Sequence, residues 1–176
     1  FDDYADAFNS LEHENGKEHI WSFQFSEDQS QFWASDIMVP RGSNLIPGGG
    51  DAEIVPELEL FEFYHPEDYR RDVNFITEYV NDAGETVTYE SFEAGVPTMG
   101  KYYNPNYSAN QLNSLNRPLI RYADVLLMYA EALNELGRTG EAYQYINMVR
   151  ERARNGDPDS EPQNIPPGSL TQQEFR

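Results

Sequence analysis

The sequence predicts a mainly α-helical fold in which a helical hairpin carries long loops and a few short β-strands. Three observations predict it. Between Arg121 and Arg154, apolar residues recur at helical spacing in two runs divided by Gly137. Three shorter runs, 18–25, 73–79 and 86–92, have the alternation or the β-branched and aromatic content of strands. The stretches between them are rich in Gly, Pro, Asn, Asp and Ser, the residues of turns.

The chain has 176 residues, enough for one domain with its own core, and 39% of them are hydrophobic. Aromatics make up 14%, with twelve Tyr and ten Phe. A ring offers a flat apolar face and Tyr adds a polar tip, which suits carbohydrate, although most rings serve the core. Thirty-one acidic against twelve basic residues give a net charge of −19. Such a chain repels phosphate backbones and anionic headgroups, which argues against a nucleic-acid partner. No stretch approaches the roughly 20 apolar residues of a membrane helix. The absence of cysteine removes disulfides, thiolate metal sites and Cys nucleophiles.

Residues 1–16 read as a short helix, with Tyr4, Ala5, Phe8 and Leu11 at helical spacing and Asn15-Gly16 as its turn. Glu18–Phe25 alternates as a half-buried strand. Trp21, Phe23 and Phe25 share one face, assigned to the core, and Ile20, Ser22 and Gln24 the other. Residues 26–57 form a long irregular region containing Phe32-Trp33, Pro40-Arg41-Gly42 and Pro47-Gly48-Gly49-Gly50. It is expected to be ordered, because Phe32, Trp33, Ile37 and Met38 need something to pack on, and loops of this length are often functional. Glu57–Tyr64 reads as a short helix. Val73–Tyr79 and Thr86–Phe92 read as a hairpin around Asn81-Asp82-Ala83-Gly84. Residues 95–118 read as loop.

Arg121–Leu136 is the clearest helix, with Tyr122, Val125, Leu126, Tyr129, Ala130 and Leu133 as its apolar stripe and Gly137 just past its end. Thr139 is placed to cap a second helix running to about Arg154, with Ala142, Ile146, Val149 and Ala153 on one face. Gly156, Asp157 and Pro158 stop it, and the tail is expected to be exposed. Thr171 and Glu174 have capping-box spacing, with only Phe175 and Arg176 beyond. The expected organisation is one partial domain over 1–176: a loop-rich region to about 118, a helical hairpin over about 119–155, and a tail over 156–176. With Ala130 and Ala142 at the crossing and Gly137 near the turn, the hairpin resembles a tetratricopeptide unit. A lone unit of that kind cannot bury both faces, so the natural protein is expected to extend beyond both ends.

The run Arg117-Pro118-Leu119-Ile120-Arg121-Tyr122-Ala123-Asp124-Val125-Leu126-Leu127-Met128-Tyr129-Ala130-Glu131-Ala132-Leu133-Asn134-Glu135 resembles the signature of the SusD/RagB family. Glu141-Ala142-Tyr143-Gln144-Tyr145-Ile146-Asn147-Met148-Val149-Arg150-Glu151-Arg152-Ala153 is similar to that family's next helix. A generic helical repeat has no need of Asn147, Arg150 and Arg152. Glu18–Phe25, Glu57–Tyr64, Asp68–Asp72 and Lys101-Tyr102 resemble upstream family elements more weakly. The resemblance implies a scaffold of tetratricopeptide-like repeats decorated with loops. It implies ligand capture without catalysis or cofactor, a lipid anchor at the cell surface outside this chain, and docking on a SusC-like TonB-dependent transporter.

Trp33 is the first candidate ligand contact, because it sits in a polar loop of amides and acids that suits stacking on a sugar. Packing of that ring on the body fits the sequence equally. Tyr102, Tyr103 and Asn104, with Asn106, Tyr107 and Asn110, form a second candidate, for which turn chemistry with packing rings is the stronger reading. Arg121 with Asp124, and Arg150 and Arg152 with Glu151, read as structural pairs. Asp124 and Glu131 share a helix face as a carboxylate pair, with nothing marking a cleft. His13, His19 and His65 lack metal-ligand spacing, and Asp28, Asp36 and Asp51 do not form an EF-hand pattern. Gly48-Gly49-Gly50 is no phosphate loop, since no Lys-Ser/Thr follows. The reading is a non-enzymatic binding protein that captures glycans for that transporter; the alternatives are peptide capture and a protein-binding helical scaffold, and a carboxylate glycosidase ranks last.

Overall fold

In the computed structural model the described residues are 3–26, 38–103 and 114–176. Among them the chain runs through β1 (His19–Phe23), α1 (Leu58–Phe63), α2 (Tyr69–Asn74), β2 (Phe75–Ile76), β3 (Glu78–Val80), β4 (Thr86–Thr88), β5 (Thr98–Met99), β6 (Arg117–Arg121), α3 (Tyr122–Glu135), α4 (Thr139–Ala153) and α5 (Gln172–Phe175). The fold is helix-rich with few short strands. These pair as three antiparallel ribbons, β1–β6, β2–β5 and β3–β4.

The α3–α4 hairpin is built as its pattern requires. Ala123, Leu126, Ala130 and Leu133 on α3 and Ala142, Tyr143 and Ala153 on α4 are buried. Ala130, Leu133 and Ala142 form one buried cluster between the two helices, with Tyr145, Ile146 and Phe175 packed against it. Gly137 takes φ +74° and ends α3. The Arg138 N–H bonds the Leu133 carbonyl at 2.8 Å and the Gly137 N–H the Asn134 carbonyl at 3.0 Å, a Schellman closure. The turn is tight enough that Thr139 falls inside the first turn of α4 instead of capping it. The N-cap is Arg138, and the Thr139 hydroxyl donates to Asn134 Oδ1 at 2.7 Å. Tyr122 and Tyr129 lie off the buried stripe, 46% and 47% exposed.

Asn134 is buried and fully employed. Its Nδ2 donates to the Gln172 carbonyl (3.0 Å), and Gln172 Nε2 returns a bond to the Asn134 carbonyl (2.6 Å). These bonds seat α5, whose capping box between Thr171 and Glu174 is formed as expected. Phe175 then meets Tyr143 edge-on at 5.2 Å. The tail leading to α5 is exposed along most of its length yet fastened to α4. Asn147 and Ile165 exchange two bonds (3.0 and 2.8 Å), and Tyr143 and Leu170 exchange two more (3.1 and 3.0 Å). Arg150 and Arg154 donate to the carbonyls of Gln163 (2.6 Å) and Pro162 (2.8 Å).

The N-terminal stretch makes a single 3₁₀ turn at Ala5–Ala7 in place of a helix. Tyr4, Ala7 and Phe8 are buried with Val73, while Leu11 is exposed. At the Asn15-Gly16 turn the positive φ falls on Asn15, at +56°. A second cluster joins Val39 and Ile46 to Ile76 and Tyr103. There Gly50 is obligatory, since a Cβ would sit 2.3 Å from the Val39 side chain. Phe32, Trp33 and Ile37 lie outside the described residues.

Three expectations are corrected. Trp21 and Phe23 do not enter the core; they are 59% and 57% exposed. Among the described residues β1 has only β6 beside it, and its register is irregular around Trp21, which breaks the strict alternation that would aim one face inward. Val73 and Asn74 close α2 instead of opening a strand, because buried Asp68 caps that helix through the Arg70 N–H (3.0 Å). The hairpin is therefore shorter, β3–β4, closed by Asn81 Oδ1 accepting from the N–H groups of Ala83 and Glu85. Finally, the end of the expected 95–118 loop is strand β6, which tolerates Pro118 because its ribbon has only two strands.

Candidate functional site

Of the candidate ligand residues, Trp33 and Asn104 lie outside the described residues, as do Asn106, Tyr107 and Asn110. Tyr102 and Tyr103 are both half-buried. The φ of +65° at Tyr102 sends the two consecutive rings to different clusters. Tyr102 meets Phe8 edge-on at 5.8 Å, lies 4.6 Å under the Arg117 guanidinium, and has its N–H on Asn9 Oδ1 at 2.7 Å. Tyr103 packs on Val39 and Ile46 and donates its hydroxyl to the Leu45 carbonyl at 3.1 Å. Burial raises the pKa of both phenols.

Beside Tyr102, cations are layered on rings. Lys101 Nζ stands 4.4 Å from the Phe8 ring centre and 5.7 Å from that of Tyr4. The guanidinium of Arg121 lies 4.8 Å over Phe8, and that of Arg152 lies 5.6 Å over Tyr4. Glu18, 4% exposed, accepts from Arg152 at 2.7 Å and Arg121 at 2.9 Å, and its carbonyl takes the Tyr122 N–H at 2.8 Å. Burial alone would raise the Glu18 pKa, but the Arg152 hydrogen bond and the charges of both arginines outweigh it, leaving the pKa below the usual range. Burial is the main cause of a lowered Lys101 pKa, and the Arg121 and Arg70 charges act in the same sense. The expected pairing of Arg121 with Asp124 is thus replaced by Glu18, far off in sequence, and Arg150 turns to the tail.

These groups fasten β1 to both helices of the hairpin. Above them, Glu18, Tyr122, Leu126, Met148, Val149 and Arg152 line a groove of about 470 Å³ that is apolar with a charged floor. Such a surface can hold a partner by burial and hydrogen bonding. Of the two carboxylates in its lining, Glu18 is committed to the two arginines and the exposed Glu151 accepts from Asn164 at 2.8 Å, while Asp124 and Glu131 stand exposed on α3. Among the described residues no group of three or more His, Asp or Glu could hold a metal. His13 contacts Asp6 (3.2 Å) and Ser10 (2.9 Å), and His19 Nε2 bonds the Ala7 carbonyl (3.0 Å). Asp28 and Asp36 lie outside the described residues. The exposed rings of Trp21, Phe23 and Phe63 escaped the sequence reading, because periodicity shows which residues share a face and not what covers it.

The family model described as the SusD family matches residues 77–176. SusD-like protein P2 of Formosa agariphila is 32% identical over 190 residues, covering 99% of this chain and 37% of that protein. SusD-like protein P25 of the same organism is 30% identical, covering 85% of this chain and 34% of its own length. The chain therefore spans about a third of the length of these relatives. Among solved structures, a SusD superfamily protein from Parabacteroides distasonis has a TM-score of 0.76 at 21% identity, over 99% of this chain and 37% of that one. Surface glycan-binding protein A from Bacteroides thetaiotaomicron, in complex with laminarihexaose, has a TM-score of 0.69 at 18% identity, over 100% of this chain and 42% of that one. At these identities the structures speak for the fold.

Proposed function

The chain belongs to the SusD family, and from that premise we propose that it is part of a cell-surface binding protein that captures oligo- or polysaccharides without turning them over. In this reading the whole protein is lipid-anchored in the outer membrane and hands its ligand to a SusC-like TonB-dependent transporter. One observation carries the glycan assignment: the fold of the whole chain recurs in surface glycan-binding protein A, solved with laminarihexaose. The site chemistry supports binding over catalysis, because the buried Glu18 carboxylate is held ionised between two arginines and cannot serve as a general acid near neutral pH.

Trp33 and Asn104 are assigned to the ligand surface, with Trp33 as the stacking ring and Asn104 as a hydroxyl partner. Tyr102 and Tyr103 contribute what remains exposed of their half-buried rings. The test is retardation of the protein in affinity gels carrying a panel of polysaccharides, beside Trp33→Ala. Retardation by one glycan, lost in the variant, supports both the function and the site. Retardation unchanged in the variant keeps the function and removes Trp33 from the site. No retardation by any glycan overturns the reading in favour of peptide capture.

A further inference from the structure

A cavity of about 370 Å³ lies where α1, the start of α2, α4 and the tail converge. Its wall includes Phe63, Tyr64, His65, Arg70, Arg150 and Pro162. We propose that this cavity is a subsite for a carboxylated saccharide of the uronic-acid type, with the Phe63 ring against the sugar's apolar face and the Arg150 guanidinium on its carboxylate. The proposal rests on the glycan-capture reading and names a ligand class for it.

Phe63 is 87% exposed, on a helix of only six residues. The helix is anchored by Phe61, which is 5% exposed and packs edge-on against Phe75 (5.3 Å) and Tyr89 (5.7 Å). Two residues on, Phe63 points away from that buried face, and Leu60, 48% exposed, adds to the same cavity wall. Neither side chain contributes to the core of the described residues, and among these their apolar surface is uncovered. The C–H face of a pyranose is the complement of such a ring.

The charges in the cavity are unequally spent. Arg70 is closed by Asp68, which takes its Nε at 2.9 Å and a terminal nitrogen at 2.6 Å and also caps α2. Arg150 uses only Nε, on the Gln163 carbonyl, leaving its two terminal nitrogens without a hydrogen bond among the described residues. Glu161, also in the wall, accepts the Gln163 N–H at 2.7 Å through one oxygen, so its other oxygen can take a sugar hydroxyl. Burial lowers the pKa of Arg150 first; Glu161 and Asp68 oppose this, and Arg70 and Arg154 add to it. A guanidinium in that setting gains from a ligand carboxylate, which it can hold through two parallel bonds. The net charge of −19 repels an anion at long range, but over about 8 Å at physiological ionic strength that field is screened, and the local balance lies between Arg150, which attracts a carboxylate, and Glu161, which admits it only with the sugar's hydroxyls turned to that side.

The experiment is isothermal titration calorimetry of the protein with a galacturonic acid trisaccharide and with the same trisaccharide reduced to primary alcohols at its carboxylates. The acid form is expected to bind about ten- to a hundredfold more tightly. Arg150→Gln is expected to abolish that preference. Phe63→Ala, at a position with no packing role, is expected to weaken both forms roughly three- to tenfold. Arg150→Lys, which keeps the charge without the fork, should retain part of the preference. Equal binding of both forms, unchanged by Arg150→Gln, would overturn the carboxylate assignment. Binding of either form indifferent to Phe63→Ala would overturn the site. If neither trisaccharide binds while a neutral polysaccharide still retards the protein, the subsite falls and glycan capture stands. If the wild-type protein binds no glycan at all, both fall.

Discussion

Arg152, near the end of α4, donates at 2.7 Å to the carboxylate of Glu18, 134 residues earlier in the chain. Arg121 reaches the same oxygen at 2.9 Å. One buried carboxylate thus joins the approach to β1 to the start of α3 and the end of α4. Glu18→Gln keeps the shape and removes the charge, leaving two guanidinium groups, 12% and 22% exposed, without their counter-ion. The expected loss is about 3 kcal/mol, read as a lower urea midpoint with unchanged slope.

The same pair sets an acid limit. The folded-state pKa of Glu18 lies below its unfolded value of about 4.3. Its contribution is therefore complete above that value and lost as pH falls through the lower, folded one. The stability gap between wild type and Glu18→Gln should be constant from neutrality to about pH 5 and narrow below about pH 4. A gap that stays constant down to pH 2 would show that the charge is not what Glu18 contributes.

Tyr69 gives an alkaline counterpart. Burial and the bond from its hydroxyl to Asp3 Oδ1 at 2.9 Å push its pKa up to about 12. The raised value means that its contribution is complete below the unfolded value of about 10 and is lost as pH rises through about 12. An ultraviolet titration of the twelve tyrosines should show a late component, shared with the buried Tyr4, Tyr102 and Tyr103, that Tyr69→Phe reduces by one phenol.

Asn134→Ala should cost about 2 kcal/mol, since it strands the Thr139 hydroxyl and the Gln172 carbonyl together. Hydrogen exchange should speed up at the α3–α4 turn and in α5 while β3 and β4 are unaffected. Uniform acceleration would mean that Asn134 supports the whole fold and not this junction.

Two glycines three residues apart should respond with opposite signs. Gly137 has φ +74°, so Gly137→Ala is expected to cost about 1 kcal/mol. Gly140 lies in the first turn of α4 with open space where a Cβ would go, so Gly140→Ala should stabilise by about 0.5–1 kcal/mol. Thermal midpoints of the two variants would check both.

The hairpin was legible because its evidence is local: apolar spacing, Gly137 and the Thr171–Glu174 box all act within a few residues. The partner of Arg152 was not legible, since nothing in a helical pattern points to an acid at the approach to a distant strand. Tyr102 and Tyr103 are identical neighbours, and only the backbone twist at Tyr102 assigns them to different clusters. Trp21 and Phe23 show the other limit: alternation grouped them correctly and could not say that their face is open. Phe61 and Phe63 differ in the same way, one anchoring α1 and the other bare.

The stitching of the tail to α4 has a consequence for how this segment can vary. Asn147, Tyr143, Arg150 and Arg154 grip main-chain groups of residues 162, 163, 165 and 170, not their side chains. The instructions for the tail's route are therefore written largely in the helix, while among the tail's own letters Asn164, whose side chain bonds Arg154 and Glu151, and Ser160, whose hydroxyl donates to the Glu67 carbonyl, are tied down as well. The restriction falls on proline. Positions 165 and 170 must each supply an N–H, to Asn147 Oδ1 and the Tyr143 hydroxyl, whereas the prolines present, Pro158, Pro162, Pro166 and Pro167, sit where no such donor is drawn upon. Moving a proline by a single place, from 166 to 165, would break a seam that most other exchanges in the tail would leave intact.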